Sequence, residues 1–99
     1  MVLSQWQTKL YKRILVTGGA GFVGSNLAIA FKQEFENTSI TALDNLKRRG
    51  SELALRRLDT NGVQFHHGDI RNPEDLAEIG PFDLLIECSA EASVHSGYG

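Results

Sequence analysis

Apolar positions follow two alternating rhythms along this chain. Arg13-Ile-Leu-Val-Thr17 is a short continuous apolar run that stops at glycines, as a strand buried on both faces would. Val23, Leu27, Phe31 and Phe35 follow at steps of four, which predicts one apolar face of a helix. Ser39-Ile-Thr-Ala-Leu-Asp44 is β-branched and apolar, a second strand. Ser51 is placed to cap a helix running to about Thr60, with Leu55 and Leu58 turned inward and Asn61-Gly62 as its stop. Val63-Gln-Phe-His-His67 predicts a third strand. Asn72 then offers an N-cap, Pro73 a first helical residue, and Glu74 and Asp75 acids near the positive helix end. Gly80 stops that helix, and Phe82 to Cys88 forms a fourth strand.

The order is β-α-β-α-β-α-β. Such alternation predicts an α/β fold of three layers, α/β/α, with parallel strands joined by right-handed crossovers. The expected strand order is 3-2-1-4, part of a doubly wound parallel sheet. Residues 1–12 read as a lead-in, with Trp6 and Leu10 suited to a short helix, and residues 13–99 as one domain.

Composition narrows the setting. A hydrophobic content of 41% in 99 residues suffices for one small core and no more. The net charge of −2, with both signs interspersed, leaves no basic footprint for nucleic acid and no polybasic membrane patch. No run approaches the roughly 18 apolar residues of a membrane span, and the first ten residues lack the pattern of a signal peptide. Cys88 is the sole cysteine, so no internal disulfide can form, and a reducing cytoplasm is the expected location.

The strongest chemical signal is Thr17-Gly-Gly-Ala-Gly-Phe-Val-Gly24. It contains both G-x-G-x-x-G and G-x-x-G-x-x-G, and it sits between a predicted strand and a predicted helix. That context is what a dinucleotide phosphate loop requires. One glycine permits the turn, the next lets a pyrophosphate approach the backbone, and Gly24 lets the helix pack closely. The helix start then offers free N–H groups and a partial positive charge. No Gly-Lys-Ser/Thr follows, which excludes a Walker loop.

Asp44 ends the second strand, 20 residues after Gly24. A carboxylate there can accept hydrogen bonds from both hydroxyls of an adenosine ribose and would repel a 2′-phosphate, so NAD is favoured over NADP. Lys47, Arg48 and Arg49 lie just beyond and are read as a solvated loop, although an arginine nearby could accept that phosphate. After the third strand, Asp69 could accept from an adenine amino group with Ile70 against the ring. By chemistry alone Asp69 is equally a turn acid before a helix.

Together these segments resemble the extended short-chain dehydrogenase/reductase family, a group of Rossmann-type enzymes that includes NAD-dependent nucleotide-sugar epimerases and dehydratases. The matching stretches are Thr17 to Asn26, Leu43-Asp-Asn-Leu46, Gly68-Asp-Ile-Arg-Asn72 and Asp83 to Ala90. The tail from Ser89 to Gly99 looks most like a CDP-paratose 2-epimerase type of subgroup. The resemblance implies a bound NAD that stores a hydride while a sugar carbon is oxidised, rearranged and reduced again. By position it implies that Gly18, Gly21 and Gly24 hold the pyrophosphate, with Phe22 and Val23 supplying backbone and packing. It gives Asp44 and Asn45 to the ribose, Asp69 and Ile70 to the adenine, and Cys88, Ser89 and Ala90 to the cofactor beyond the fourth strand. The implied partner is a nucleotide sugar, acted on by a full-length parent whose candidate assembly is a homodimer.

Two departures matter. Where the family often has His-Leu-Ala-Ala, this chain has Glu87-Cys-Ser-Ala90, and Glu87 is read as an outward-facing acid. The family's catalytic Tyr-x-x-x-Lys has no match: Tyr11 precedes the first strand and Tyr98 is followed only by Gly99. No catalytic residue is therefore assigned, and the chain reads as cut off after its fourth strand. The competing readings are a non-catalytic dinucleotide-binding regulatory module and an inactive truncated product. His66 and His67 are neighbours on a strand and face opposite ways, and His95 has no partner in sequence, so no metal site is expected. Cys88 reads as a small buried residue rather than a nucleophile. Ser93, His95 and Asp83 lack the G-x-S-x-G elbow that a triad of this kind would need.

Overall fold

The structure is a computed structural model, and it describes residues 11–47 and 50–88. Four strands, β1 (Arg13–Thr17), β2 (Ser39–Asp44), β3 (Gln64–His67) and β4 (Leu84–Glu87), form one sheet in the order β3-β2-β1-β4. Every pairing is parallel, with Val16 beside Ala42 on one side and Ile86 on the other. The α/β architecture and strand order are those the alternation predicts. Strands β3 and β4 are shorter than expected. Val63, Phe82 and Cys88 lie outside them but still pack against the core.

Alternation along the strands builds two cores. Ile14, Val16, Ile40 and Ala42 face helix α1 (Phe22–Glu34) and helix α2 (Leu55–Thr60), where they meet Ala28, Ile29 and Leu58. Leu15 and Leu43 face the other way and meet Ile79 of α3 (Pro73–Ile79). Each such fully buried aliphatic side chain contributes about 1.5–3 kcal/mol by leaving water. Leu84 and Ile86 of β4 join the first core, whereas Leu85, on the side served only by α3, stays 41% exposed.

Two local expectations need correction. The buried residues of α1 are Gly24, Ser25, Ala28 and Ile29, while Val23 is 58% exposed and Leu27 and Phe31 are only half-buried. Small residues let the helix axis approach the sheet, and the large ones flank the contact. Phe31 packs at the edge of the first core and stacks on Phe35, which is buried as predicted, with ring centroids 6.1 Å apart. The second correction concerns Ser51. It begins a short 3₁₀ turn (Ser51–Ala54) after Gly50, whose φ is 84°, and its hydroxyl caps nothing. The other stop signals act as their chemistry predicts. The Asn72 side chain accepts the Glu74 N–H at 2.9 Å, and Gly62 and Gly80 adopt φ near 80° beyond their helices. Arg13 reaches across to donate to the Ile79 carbonyl at 3.0 Å, holding the end of α3 against β1. None of the described helices is long and apolar enough to cross a membrane.

Candidate dinucleotide cleft

The cleft lies where the strands end at their carboxyl edges. The chain leaves β1 there with Gly18 at φ 68°, a left-handed turn that glycine adopts without strain. Gly19 donates to the Leu43 carbonyl at 3.1 Å and lies so close to β2 that a Cβ would meet that of Ala42 at 2.5 Å. A Cβ on Gly24 would land on the Gly18 carbonyl oxygen. Gly24 therefore packs the start of α1 onto the loop itself, more directly than onto the strand. Gly21 differs from both. Its backbone is extended, a Cβ there would meet only the Gly18 oxygen, at an ordinary 3.4 Å, and the residue itself lines the cleft.

Helix α1 begins at this loop with no side-chain cap and no acid in its first turn. Helices of this length usually satisfy their first N–H groups with a capping side chain or place acids there. Here the open N–H groups and the positive helix end face a cavity of about 750 Å³. That is the chemistry an anionic diphosphate requires.

Asp44, at the end of β2, fixes the opposite wall. Its Oδ2 accepts the Ala20 N–H at 2.9 Å and its Oδ1 accepts the Leu46 N–H at 2.8 Å. One carboxylate thus ties the glycine loop to the loop after β2. Leu46 is held there at φ 60°, a strained setting for a leucine. The Asn45 side chain closes its own turn by accepting the Lys47 N–H, and the Asn45 backbone carbonyl lies 3.1 Å from His67 Nε2. A carboxylate oxygen has two acceptor sites, so Asp44 retains capacity for hydroxyl donors.

Beyond β3, Asp69 is engaged by Arg71. Its Oδ1 accepts the Arg71 backbone N–H at 2.9 Å and Nε at 3.1 Å, and its Oδ2 accepts a guanidinium nitrogen at 2.8 Å. Hydrogen bonding from that side chain, aided by the Arg71 N–H, holds the Asp69 pKa down at about 2. Cys88 follows β4 with its N–H on the Thr17 carbonyl, and burial, aided by the charge of Glu87, pushes its thiol pKa up. A protonated thiol is a poor nucleophile.

The lining of this one cavity includes Gly18, Gly21, Phe22, Val23, Gly24, Asp44, Asn45, Asp69, Ile70 and Cys88. Each residue that the sequence singled out for the cofactor is therefore brought here, with the exception of Ser89 and Ala90, which lie outside the described residues. The sequence missed Thr17 and Glu87. The Thr17 hydroxyl donates to Glu87 Oε1 at 2.6 Å, across the junction of β1 and β4. Glu87 is exposed as expected, yet it lines the cleft instead of turning away from it. A separation of 70 positions between Thr17 and Glu87 hides this pair from any local motif. His66 and His67 do face opposite ways: His66 lies beside Asp75 and Glu78 of α3, His67 beside Asn45.

A family model described as "NAD dependent epimerase/dehydratase family" matches residues 14–98. The chain belongs to that family. It is 42% identical over 69 residues to CDP-paratose 2-epimerase of Salmonella typhi, covering 68% of this chain and 20% of that enzyme. It is 40% identical over 83 residues to a dTDP-glucose 4,6-dehydratase of Mycolicibacterium smegmatis, covering 84% and 23%. Among solved structures it superposes on the ADP-L-glycero-D-manno-heptose-6-epimerase of Helicobacter pylori with a TM-score of 0.64 and 34% identity, covering 81% of this chain and 27% of that one. The chain thus spans about a quarter of the length of these epimerase and dehydratase relatives. The family uses a nicotinamide cofactor, and the open helix start and glycine cradle fit its pyrophosphate.

Proposed function

We propose that this chain is the NAD-binding portion of a nucleotide-sugar epimerase or dehydratase, with NAD favoured over NADP. The observation that carries the reading is the convergence of the capless α1 start, the Gly21 opening and the anchored Asp44 carboxylate on one cleft. In this role the open N–H groups of Phe22 to Gly24 hold the pyrophosphate over the Gly18–Gly21 turn, and the Phe22 and Val23 side chains shield it. Asp44 and Asn45 orient the ribose, Asp69 and Ile70 receive the adenine, and Cys88, Ser89 and Ala90 border the cofactor beyond β4. When bound, NAD supplies the hydride acceptor that a sugar oxidation requires and returns the hydride later. A nucleotide sugar as substrate is supported by the relatives' names. The acid-base pair for the hydroxyl proton is not assigned to any residue of this chain.

Selectivity follows from charge. A 2′-phosphate would approach the Asp44 carboxylate at close range, where like charges repel. Dissociation constants for NAD and NADP should differ by about tenfold or more in favour of NAD, equivalent to roughly 1.4 kcal/mol. Asp44→Ser should weaken NAD and narrow the gap. Equal or tighter binding of NADP by the unaltered chain would mean that Lys47 and its basic neighbours govern the site.

A further inference from the structure

A second cluster lies just behind the cleft lining, on the sheet face covered by α3, and none of its three side chains lines the cleft. His66 points from β3 toward that helix, and Asp75 and Glu78 meet it from one helical face, three residues apart. His66 Nε2 is 3.4 Å from Asp75 Oδ1 and 3.6 Å from Glu78 Oε1, and one ligand atom from each of the three groups lies within 4.8 Å of the other two. We propose that His66, Asp75 and Glu78 bind one divalent transition-metal ion of zinc-like preference, clamping β3 to α3.

Three features carry this. The first is spacing. The two contacts are long for hydrogen bonds, which centre near 2.9 Å. They match the edge of a tetrahedron around an ion with bonds of about 2.0–2.1 Å, an edge of roughly 3.4 Å. The second is charge. Two carboxylates converge on a single imidazole nitrogen, and a neutral imidazole offers that nitrogen at most one proton. A dication satisfies both acids and takes the nitrogen lone pair as well. The third is orientation. Asp75 Oδ2 accepts the Asp69 N–H at 2.9 Å, and the carboxylate lies against Gly68, where a Cβ would collide with it. This outer bond fixes the carboxylate and leaves Oδ1 facing His66, the kind of support that metal ligands receive. Glu78 is 72% exposed and free to adjust its rotamer to the ion. One nitrogen and two oxygens suit zinc or cobalt better than magnesium, which favours all-oxygen octahedra and retained water. The proposal is independent of the dinucleotide reading, since the three side chains need no cofactor to meet.

The test uses the 99-residue chain, stripped of metal and titrated with cobalt(II) alone as the spectroscopic probe, then with zinc. The proposal expects visible d–d bands that saturate at one ion per chain and disappear on zinc addition. His66→Ala and Glu78→Gln should each weaken binding by about tenfold or more, while His67→Ala leaves it unchanged. Glu78→Gln alters an exposed, isosteric group, so its far-ultraviolet circular dichroism should match the parent and keep the comparison valid. Absence of the bands, their survival in both variants, or a thiolate charge-transfer band that moves the ion to Cys88 would each overturn the proposal.

Discussion

Gly21 and Gly24 lie three positions apart and would tolerate a side chain very differently. At Gly21 the backbone is already extended and the new Cβ meets only one oxygen at van der Waals distance. Gly21→Val should therefore fold, yet fill the approach to the helix N–H groups. Losing one or two charge-assisted hydrogen bonds predicts about tenfold to several hundredfold weaker NAD binding. Gly24→Val should instead disrupt the loop, because its Cβ would coincide with the Gly18 carbonyl. Paired melts and NAD titrations separate the two effects; a Gly21→Val chain that binds NAD normally would remove the phosphate assignment. Asp69 gives a pH test at the same scale. Its folded pKa of about 2 lies below the ordinary 3.8, so its contribution is complete above the ordinary value and is lost as pH falls toward about 2. A carboxyl NMR titration should place the midpoint near the lower value. A midpoint at the ordinary value would show that the Arg71 contacts do not persist in solution. The loop residues were legible because neighbours in sequence are neighbours in space. Thr17–Glu87 and His66–Asp75–Glu78 were not, because the fold alone brings them together.

At the scale of elements, existence and type were readable and orientation was not. Every strand and helix from β1 to β4 follows from apolar runs and stop residues. The facing of α1 does so only in part, because a reading by size selects Val23, Leu27, Phe31 and Phe35, whereas burial selects Ser25, Ala28 and Ile29 within the helix and keeps only Phe35, just past its end, from that set. Ser51 shows the same limit: a good capping residue is displaced when the preceding glycine sets the turn. The observed facing is testable. Ala28, 0% exposed, has no room for growth, so Ala28→Leu should cost about 1–3 kcal/mol. Val23→Ala should change stability by no more than about 0.5 kcal/mol, since most of that side chain is already in water. Urea melts of both variants decide between the two faces; the reverse ranking would restore the step-of-four face.

For the whole molecule, the sheet ends on β4 among the described residues, with Leu85 open on the face that α3 covers incompletely. An uncovered strand edge is a surface for further pairing. The cleft nonetheless draws on all four strand ends, so its geometry depends on the sheet as a unit and not on the glycine loop alone. Coupling of that kind predicts that one ligand perturbs three loops distant in sequence. The most direct measurement is a titration of the isotope-labelled chain with NAD, followed residue by residue through its amide NMR signals. The account predicts saturable shifts grouped at Gly18 to Gly24, Asp44 to Lys47 and Gly68 to Arg71, with the largest at the amides of Gly21 to Gly24. NAD binding that leaves the Gly21 to Gly24 amides unmoved, or saturating NAD that moves none of the three loops, would contradict it.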